Sequence, residues 1–267
     1  MELRVFIFQA LKNEKRTLSD DPLLSRKKIF ITYYADMSAC HYKYTGQGLY
    51  TVSEASRISG MSSARIYSWL YGGNVLGELS RKRSSVLQHE LPTIDHLAAI
   101  SFRDLIQLRF LDFFRNNGLS LQALRRATRQ ASNLLDSPYP FCSARFKTDG
   151  QRLIAEVVET DGRITYIELD RMQHVFKSVV APFLRSLDYA GDEYVARWWP
   201  LGRDTNIVVD PSRNFGKPTL FKEGIPTQII YNTYVASKKS IGPVIDWFEI
   251  SEQSAKAAVE YEKGLAA

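Results

Sequence analysis

The chain has 267 residues, of which 45% are hydrophobic and 24% charged, with a formal net charge of +6. This composition is that of an ordinary soluble globular protein. It excludes a membrane span, since no apolar run approaches the roughly 18–20 residues required. It also excludes a disulfide framework, because there are two cysteines, Cys40 and Cys142. A reducing, cytoplasmic location is the expectation.

The positive charge is concentrated in one part of the chain. Between Thr51 and Arg145 there are 12 Lys and Arg residues and 7 Asp and Glu residues, so 12 − 7 = +5 of the surplus lies there. A basic module suits a partner with a phosphate backbone. A solvated basic face is the commoner reason for such a surplus, so charge alone leaves the function open.

Residues 1–48 have little continuity in pattern with the rest of the chain. The short apolar runs Val5–Phe8 and Ile29–Tyr34 flank a polar segment. They are too short for a signal peptide, and no small-residue cleavage site comes after them. We expect an extension over 1–48 that is either disordered or the product of a mis-assigned start, with Met37 as the alternative start.

The segment Tyr50–Tyr71 predicts two short helices joined by a tight turn. Thr51 and Glu54 have the spacing of a capping box that begins the first helix. Gly60 interrupts the pattern, and Ser62 is a suitable N-cap for the second helix. DNA-binding helix-turn-helix units have this arrangement, and so do ordinary helical hairpins.

The same segment resembles the start of MerR-type regulators, in which a Y-T-x-x-E-A entry leads into the turn and the recognition helix. The likeness continues in order along the chain. Leu79–Leu91 resembles the small β-wing of that family, Ser101–Phe110 its third helix, and Asn117–Leu124 the turn into the fourth. The resemblance implies a winged helix-turn-helix domain over residues 49–137.

This domain is expected to bind double-stranded operator DNA, with the helix Ser62–Tyr71 in the major groove. Arg65 and Tyr67 would face the groove, and Ser63 would lie near a phosphate. The basic residues of the wing would hold the DNA backbone. The predicted DNA-binding residues are Ser62, Ser63, Arg65, Tyr67, Arg81, Lys82 and Arg83.

Two further helices complete the predicted domain. The third begins near Ser101, Gly118 closes it, and Ser120 caps the fourth, whose apolar stripe runs over Leu121–Leu135. MerR-type regulators continue into a long dimerisation helix that has no equivalent here, so operator distortion and effector sensing are not implied. A homodimer is expected to use the stripe of Leu121–Leu135 and the module over residues 138–204.

Residues 138–204 predict a small α+β middle module. Asp149-Gly150 and Asp161-Gly162 stand between β-rich runs, which favours a three-stranded meander over Cys142–Leu169. A helix over Asp170–Leu187, kinked at Pro182, and a strand over Glu193–Trp199 are predicted after it.

The last residues, 205–267, carry a second resemblance. The motifs Phe215–Pro218 and Gly224–Thr227 precede three predicted helices, which span Thr227–Ala236, Ile241–Phe248 and about Ser251–Lys263. This pattern resembles a domain of unknown function found in antitoxins of the Vap class, which folds as a trihelical, homeodomain-like unit. The glycines and prolines of the motifs are interpreted as turn-forming residues.

The tail has more apolar residues than three short helices can enclose, because a unit of about sixty residues buries only ~60% of its unfolded surface. Tyr231 and Trp247 are therefore the predicted anchors for a partner chain, with packing on the chain's own middle module as the alternative. The tail, Asn206–Ala267, is expected to be separable from operator recognition by Thr51–Leu135.

Motifs for common catalytic sites are missing from the sequence. It contains no P-loop, no G-x-G-x-x-G and no H-E-x-x-H, and its four histidines are scattered. Asp95-His96 has no nucleophile or orienting partner that can be named. No metal, no cofactor and no catalytic residue is predicted.

Together these features predict an α+β, mainly α chain. The order of the two resemblances is that of larger Vap-type antitoxins, whose toxins are PIN-like ribonucleases. The leading hypothesis is an antitoxin of a type II toxin–antitoxin system that binds its operator and neutralises such a ribonuclease. A stand-alone regulator that senses a small molecule through its middle module is the alternative, and an enzyme with an unrecognised site there is the third hypothesis.

Overall fold

The computed structural model describes Tyr44 and residues 46–72, 85–94, 97–161, 166–191 and 193–266. The chain divides into two compact units, Met1–Tyr44 and Thr45–Ala267, and the helices and strands given below belong to the second. Residues 1–43 of the predicted extension, Met37 included, lie outside the described residues. Within the described ranges, no helix is long and apolar enough to cross a membrane.

The described residues are mainly helical, with two small antiparallel sheets, which confirms the predicted fold class. The helices are α1 (Val52–Ser59), α2 (Ser63–Tyr71), α3 (Phe102–Asn116), α4 (Leu121–Leu135), α5 (Ala144–Asp161), α6 (Tyr166–Val175), α7 (Ala181–Arg185), α8 (Thr227–Ala236), α9 (Gly242–Phe248) and α10 (Glu252–Ala266). The strands pair as β1 (Leu187–Ala190) with β2 (Tyr194–Trp198), and β3 (Ile207–Val208) with β4 (Thr219–Leu220).

Local capping signals place the ends of the first helices where the sequence predicts them. The Thr51 hydroxyl accepts a bond from the Glu54 amide at 3.1 Å, and the Glu54 carboxylate accepts one from the Thr51 amide at 2.9 Å. Gly60 ends α1 in the left-handed conformation, and Ser62 caps α2. The predicted start of α3 near Ser101 and the predicted N-cap of α4, Ser120, are likewise confirmed.

The predicted meander over Cys142–Leu169 is wrong, because α5 and α6 occupy its described part. Gly150 is a buried residue inside α5 and does not form a turn. A Cβ at this position would come within 2.5 Å of the Phe176 ring. Gly150 therefore serves close packing between two helices, a role that local sequence cannot distinguish from a turn. The second predicted turn, Asp161-Gly162, lies at the edge of the described residues.

The predicted helix over Asp170–Leu187 is confirmed as a helical segment that ends at Arg185, with one change. Between α6 and α7 the helix widens into a π-turn over Phe176–Val180. Pro182 has no amide hydrogen and cannot donate within a regular α-helix, so a local change in helix type is expected beside it.

One hydrophobic core runs from Tyr50 to Val209, with α3 at its centre. The apolar stripe of α4 belongs to this core, where Leu124, Ala127 and Ala131 are buried, and α4 packs on α5. The prediction that this stripe is exposed for dimerisation is therefore wrong.

The C-terminal residues form a second, smaller core between β3–β4 and helices α8, α9 and α10. The two cores are connected by the chain itself and by backbone hydrogen bonds. Val209 is buried in the first core and pairs with Trp198 through bonds of 3.0 and 2.8 Å. Removing residues 206–267 would expose that core, so this packing argues against a tail that is separable by truncation.

Candidate DNA-binding and partner-binding surfaces

The helix pair α1–α2 is held on α3 so that one side of α2 is buried. Ile66, Trp69 and Leu70 face the core. Arg109 of α3 donates a 2.5 Å hydrogen bond to the carbonyl of Ser59 at the end of α1. The first residues of α2 point to solvent, and the predicted contact residues Ser62 and Ser63 are both exposed.

Arg65, the one cation of α2, forms hydrogen bonds and an ion pair with residues of α3. Its Nη1 donates to Asp112 Oδ1 at 2.5 Å and to Asn116 Oδ1 at 3.2 Å, both on α3. Its guanidinium also lies 5.9 Å from the centroid of the Trp69 ring. The side chain is 40% exposed, so it lies at the surface with part of its charge already neutralised.

Tyr67 is half-buried on α2, and its ring centroid lies 5.1 Å from that of Tyr71. Tyr71 in turn donates a 2.7 Å hydrogen bond to the carbonyl of Ala99, just before α3. Tyr67, a predicted groove residue, therefore packs against Tyr71, whose position is fixed by its hydrogen bond to Ala99.

The predicted wing residues Arg81, Lys82 and Arg83 lie outside the described residues. The described end of the predicted wing, 85–91, contains no strand. It returns to α2, where the amides of Val86 and Leu87 donate to the carbonyl of Trp69 at 2.8 and 3.1 Å.

The smaller C-terminal core is joined to α1 by charged groups. Arg57 forms an ion pair with Glu262, whose buried carboxylate also accepts the hydroxyl of Thr227 at 2.5 Å. Glu54 of the capping box pairs with Lys217 at 3.4 Å. The sequence does not predict these contacts, because the paired residues lie far apart in the chain and have no local pattern.

The two predicted partner anchors differ in exposure. Trp247 on α9 is 78% exposed, more than any other large hydrophobic residue in the described part of the chain. Tyr231 on α8 is partly buried and packs against the C-terminal core. The structure thus presents one of the two predicted anchors to solvent.

A cleft of about 270 Å³ lies between Gly46–Gln47, the β1–β2 hairpin and the loop after β3. Arg103 and Arg197 line it, and each pairs with a carboxylate, Glu90 at 3.1 Å and Asp210 at 2.8 Å. In the part of the chain that the structure describes, no three His, Cys, Asp or Glu side chains are placed to hold a metal ion.

Comparison with known proteins finds similarity both in sequence and in fold. No family model matches the sequence. VapB45 of Mycobacterium tuberculosis (strain ATCC 25618 / H37Rv), a protein inferred to be an antitoxin, is 26% identical over an alignment of 191 positions that covers 66% of this chain and 78% of VapB45. The crystal structure of Rv2018 from Mycobacterium tuberculosis superimposes with a TM-score of 0.63 at 21% identity, covering 79% of this chain and 96% of that one. The second match concerns the fold alone; the first is a similarity in sequence to an inferred antitoxin.

Proposed function

We propose that this chain is a non-enzymatic antitoxin of a type II toxin–antitoxin system, with a PIN-like ribonuclease as its toxin. The observation that carries the proposal is the sequence similarity to VapB45 over 191 aligned positions. The two-part resemblance of the sequence to larger Vap-type antitoxins agrees with it.

The test is growth rescue in a bacterial host. The gene beside this one is expressed from an inducible promoter, with or without the full-length chain. Growth arrest by the neighbour alone and recovery on co-expression are the expected results. A neighbour that is harmless, or arrest that the chain does not relieve, would contradict the antitoxin function.

Operator binding is proposed for α1–α2, with α2 in the major groove. The exposed start of α2, with Ser62 and Ser63, supports this placement, and Arg65 and Tyr67 are the proposed groove contacts. Arg81, Lys82 and Arg83 would bind the DNA backbone. Replacing all three with Ala should weaken binding to every sequence and reduce the slope of log affinity against log salt by about 3. An unchanged slope would contradict a role for these residues at the DNA backbone.

A homodimer is proposed as the DNA-binding species, because one helix pair offers a limited contact and two-fold pairing doubles it on a palindromic site. Since the stripe of α4 is buried, the module over residues 138–204 is the remaining candidate for the interface. Light scattering at micromolar concentration, with and without operator DNA, tests this state, and a monomer under both conditions would contradict it.

The cleft beside the β1–β2 hairpin favours a second candidate function, a regulator that senses a small molecule. Its volume suits a small metabolite, and Arg103 and Arg197 offer guanidinium donors beyond those engaged by their carboxylates. A thermal-shift screen of anionic and zwitterionic metabolites tests it. Arg197→Ala should abolish any stabilisation by the ligand.

A further inference from the structure

A solvent-facing surface with large apolar side chains lies on the two touching helices α8 and α9. Its large members are Ile229 and Val235, each 46% exposed, and Trp247; we call these three residues the α8–α9 patch. On α8 the remaining exposed residues of the same side are Gln228, Asn232 and Ala236. Helix α8 itself contains no charged residue, and Gln228 at its start accepts a 3.3 Å hydrogen bond from Arg57 of α1. Exposed apolar patches of this kind are typical of protein interaction sites.

Two lysines lie in the turn that joins these helices. Lys238 and Lys239 both have left-handed backbone conformations, with φ of 54° and 62°. Non-glycine residues seldom adopt this conformation, and two in succession are costly unless they have a use. Two backbone hydrogen bonds hold the turn: the amide of Lys238 donates to the carbonyl of Val235 at 3.2 Å, and the amide of Lys239 donates to the carbonyl of Tyr234 at 2.9 Å.

These lysines differ from three other lysines in the C-terminal part of the chain. Lys217, Lys256 and Lys263 each pair with a carboxylate. Lys238 and Lys239 have no ion-pair partner among the described residues, and both are exposed. The turn therefore presents two adjacent positive charges beside the α8–α9 patch.

We infer that the α8–α9 patch and Lys238–Lys239 together dock the toxin, through a toxin surface in which apolar side chains are bordered by carboxylates. The inference rests on the proposed antitoxin function and names the surface and the chemistry of its partner. Trp247 supplies the anchor, because exposed aromatic side chains that become buried dominate interface energies. The lysines orient the toxin on this surface and raise the rate at which it associates.

Charge favours this occupant over a second copy of the chain. Helices α8 and α9 and the turn between them carry two lysines and one carboxylate, Asp246. A two-fold pair through this surface would set surplus positive charge against surplus positive charge, which opposes binding. A nucleic acid would find cations for its phosphates at Lys238 and Lys239 but would leave the apolar side chains of α8 and α9 without a matching partner.

The experiment titrates the purified product of the neighbouring gene into the full-length chain by calorimetry. Trp247→Ala should weaken binding at least about 30-fold, the loss of a hot-spot residue. K238E/K239E should weaken it at least about tenfold at low salt and less at high salt, where charges are screened. The matched controls are Leu201→Ala, an exposed apolar residue elsewhere, and K177E/K222E, with the same change of charge; both should bind like wild type.

The outcomes separate this surface from the proposed function. If the wild-type chain binds the toxin, and Trp247→Ala and K238E/K239E bind it with the same affinity, the docking surface is overturned and the antitoxin function is left intact. No binding by the wild type would overturn both. Loss of self-association in Trp247→Ala, by sedimentation, would assign the patch to a second copy, and loss of operator affinity would assign it to DNA; either result overturns the inference.

Discussion

The hydroxyl of Tyr50 donates a 2.7 Å hydrogen bond to the carbonyl of Gly216, 166 positions further along the chain. Tyr50 is buried in the first core, and Gly216 has a φ of 82°. A Cβ at position 216 would lie 2.2 Å from the Tyr50 hydroxyl oxygen. Glycine is needed here for two reasons, the left-handed backbone and the close approach of the phenol.

Gly216→Ala is expected to destabilise the protein by about 2–4 kcal/mol, from the left-handed conformation and the steric overlap together. Gly224→Ala is the matched control, since Gly224 has a φ of 73° but open space around it. It should lose only the conformational part, about 1–2 kcal/mol. Chemical denaturation measures both.

A double-mutant cycle with Tyr50→Phe isolates the contact. Removing the hydroxyl oxygen relieves part of the overlap, so Gly216→Ala should cost less in the Tyr50→Phe background. Equal costs of Gly216→Ala in both backgrounds would show that the phenol does not limit this position.

Local signals allowed much of the helical part of the fold to be predicted. Thr51, Ser62, Ser101 and Ser120 each place a helix start, because an N-cap depends on residues three positions apart. The contacts that join the helix pair to the smaller C-terminal core were not predictable in this way. Arg57 and Glu262 are separated by 205 positions, and neither residue type implies the other.

The candidate site was predicted in part for the same reason. The exposed start of α2 follows from its cap and apolar spacing. The excess of apolar residues in the tail implies that some aromatic side chains are exposed but does not say which: Trp247 is exposed, whereas Tyr231 is partly buried. The ion pair of Arg65 with Asp112 depends on how α3 crosses α2, which spacing within α2 does not encode.

Asp104 makes the stability depend on pH. Burial raises the pKa of its carboxyl from 3.8 to about 6, against the bonds it accepts from the amides of Ser101 and Glu90. Between about pH 4 and 6 the native protein therefore holds a proton that the unfolded chain has released. The free energy of unfolding contributed by this group falls as pH rises through that window.

Asp104→Asn should remove this dependence, because the neutral amide keeps an acceptor oxygen for both bonds. The difference in unfolding free energy between the variant and the wild type should shift in favour of the variant from pH 4 to pH 7, by on the order of 2–3 kcal/mol. Thermal or urea unfolding across this range measures it. A constant difference would show that the carboxyl titrates normally in the native state.

Gln107 is a fully buried residue of α3 whose amide makes no hydrogen bond within the described protein. A buried amide without partners costs free energy that an apolar side chain of similar volume does not. Gln107→Met should therefore stabilise the protein by about 1–2 kcal/mol. Gln122→Met, at an exposed position of α4, should leave the denaturation midpoint unchanged. Destabilisation by Gln107→Met would show that the amide has a partner.

Arg65 forms an ion pair with Asp112. Asp112 would therefore compete with DNA for the guanidinium of Arg65. If Arg65 contacts the major groove, Asp112→Asn should raise operator affinity by up to about fivefold, since a half-exposed ion pair is worth about 1 kcal/mol or less. Arg65→Ala should lower it by about 1–3 kcal/mol.

The double variant Arg65→Ala with Asp112→Asn should bind operator DNA like Arg65→Ala alone, because Asp112 acts through the guanidinium. Asp136→Asn, an exposed position with the same change in net charge, controls for general electrostatic attraction and should have a smaller effect. Gel shift at fixed salt measures affinity, and thermal unfolding measures stability in parallel. If Arg65→Ala lowers the melting temperature but not operator affinity, Arg65 is a structural link between α2 and α3 and does not read the groove.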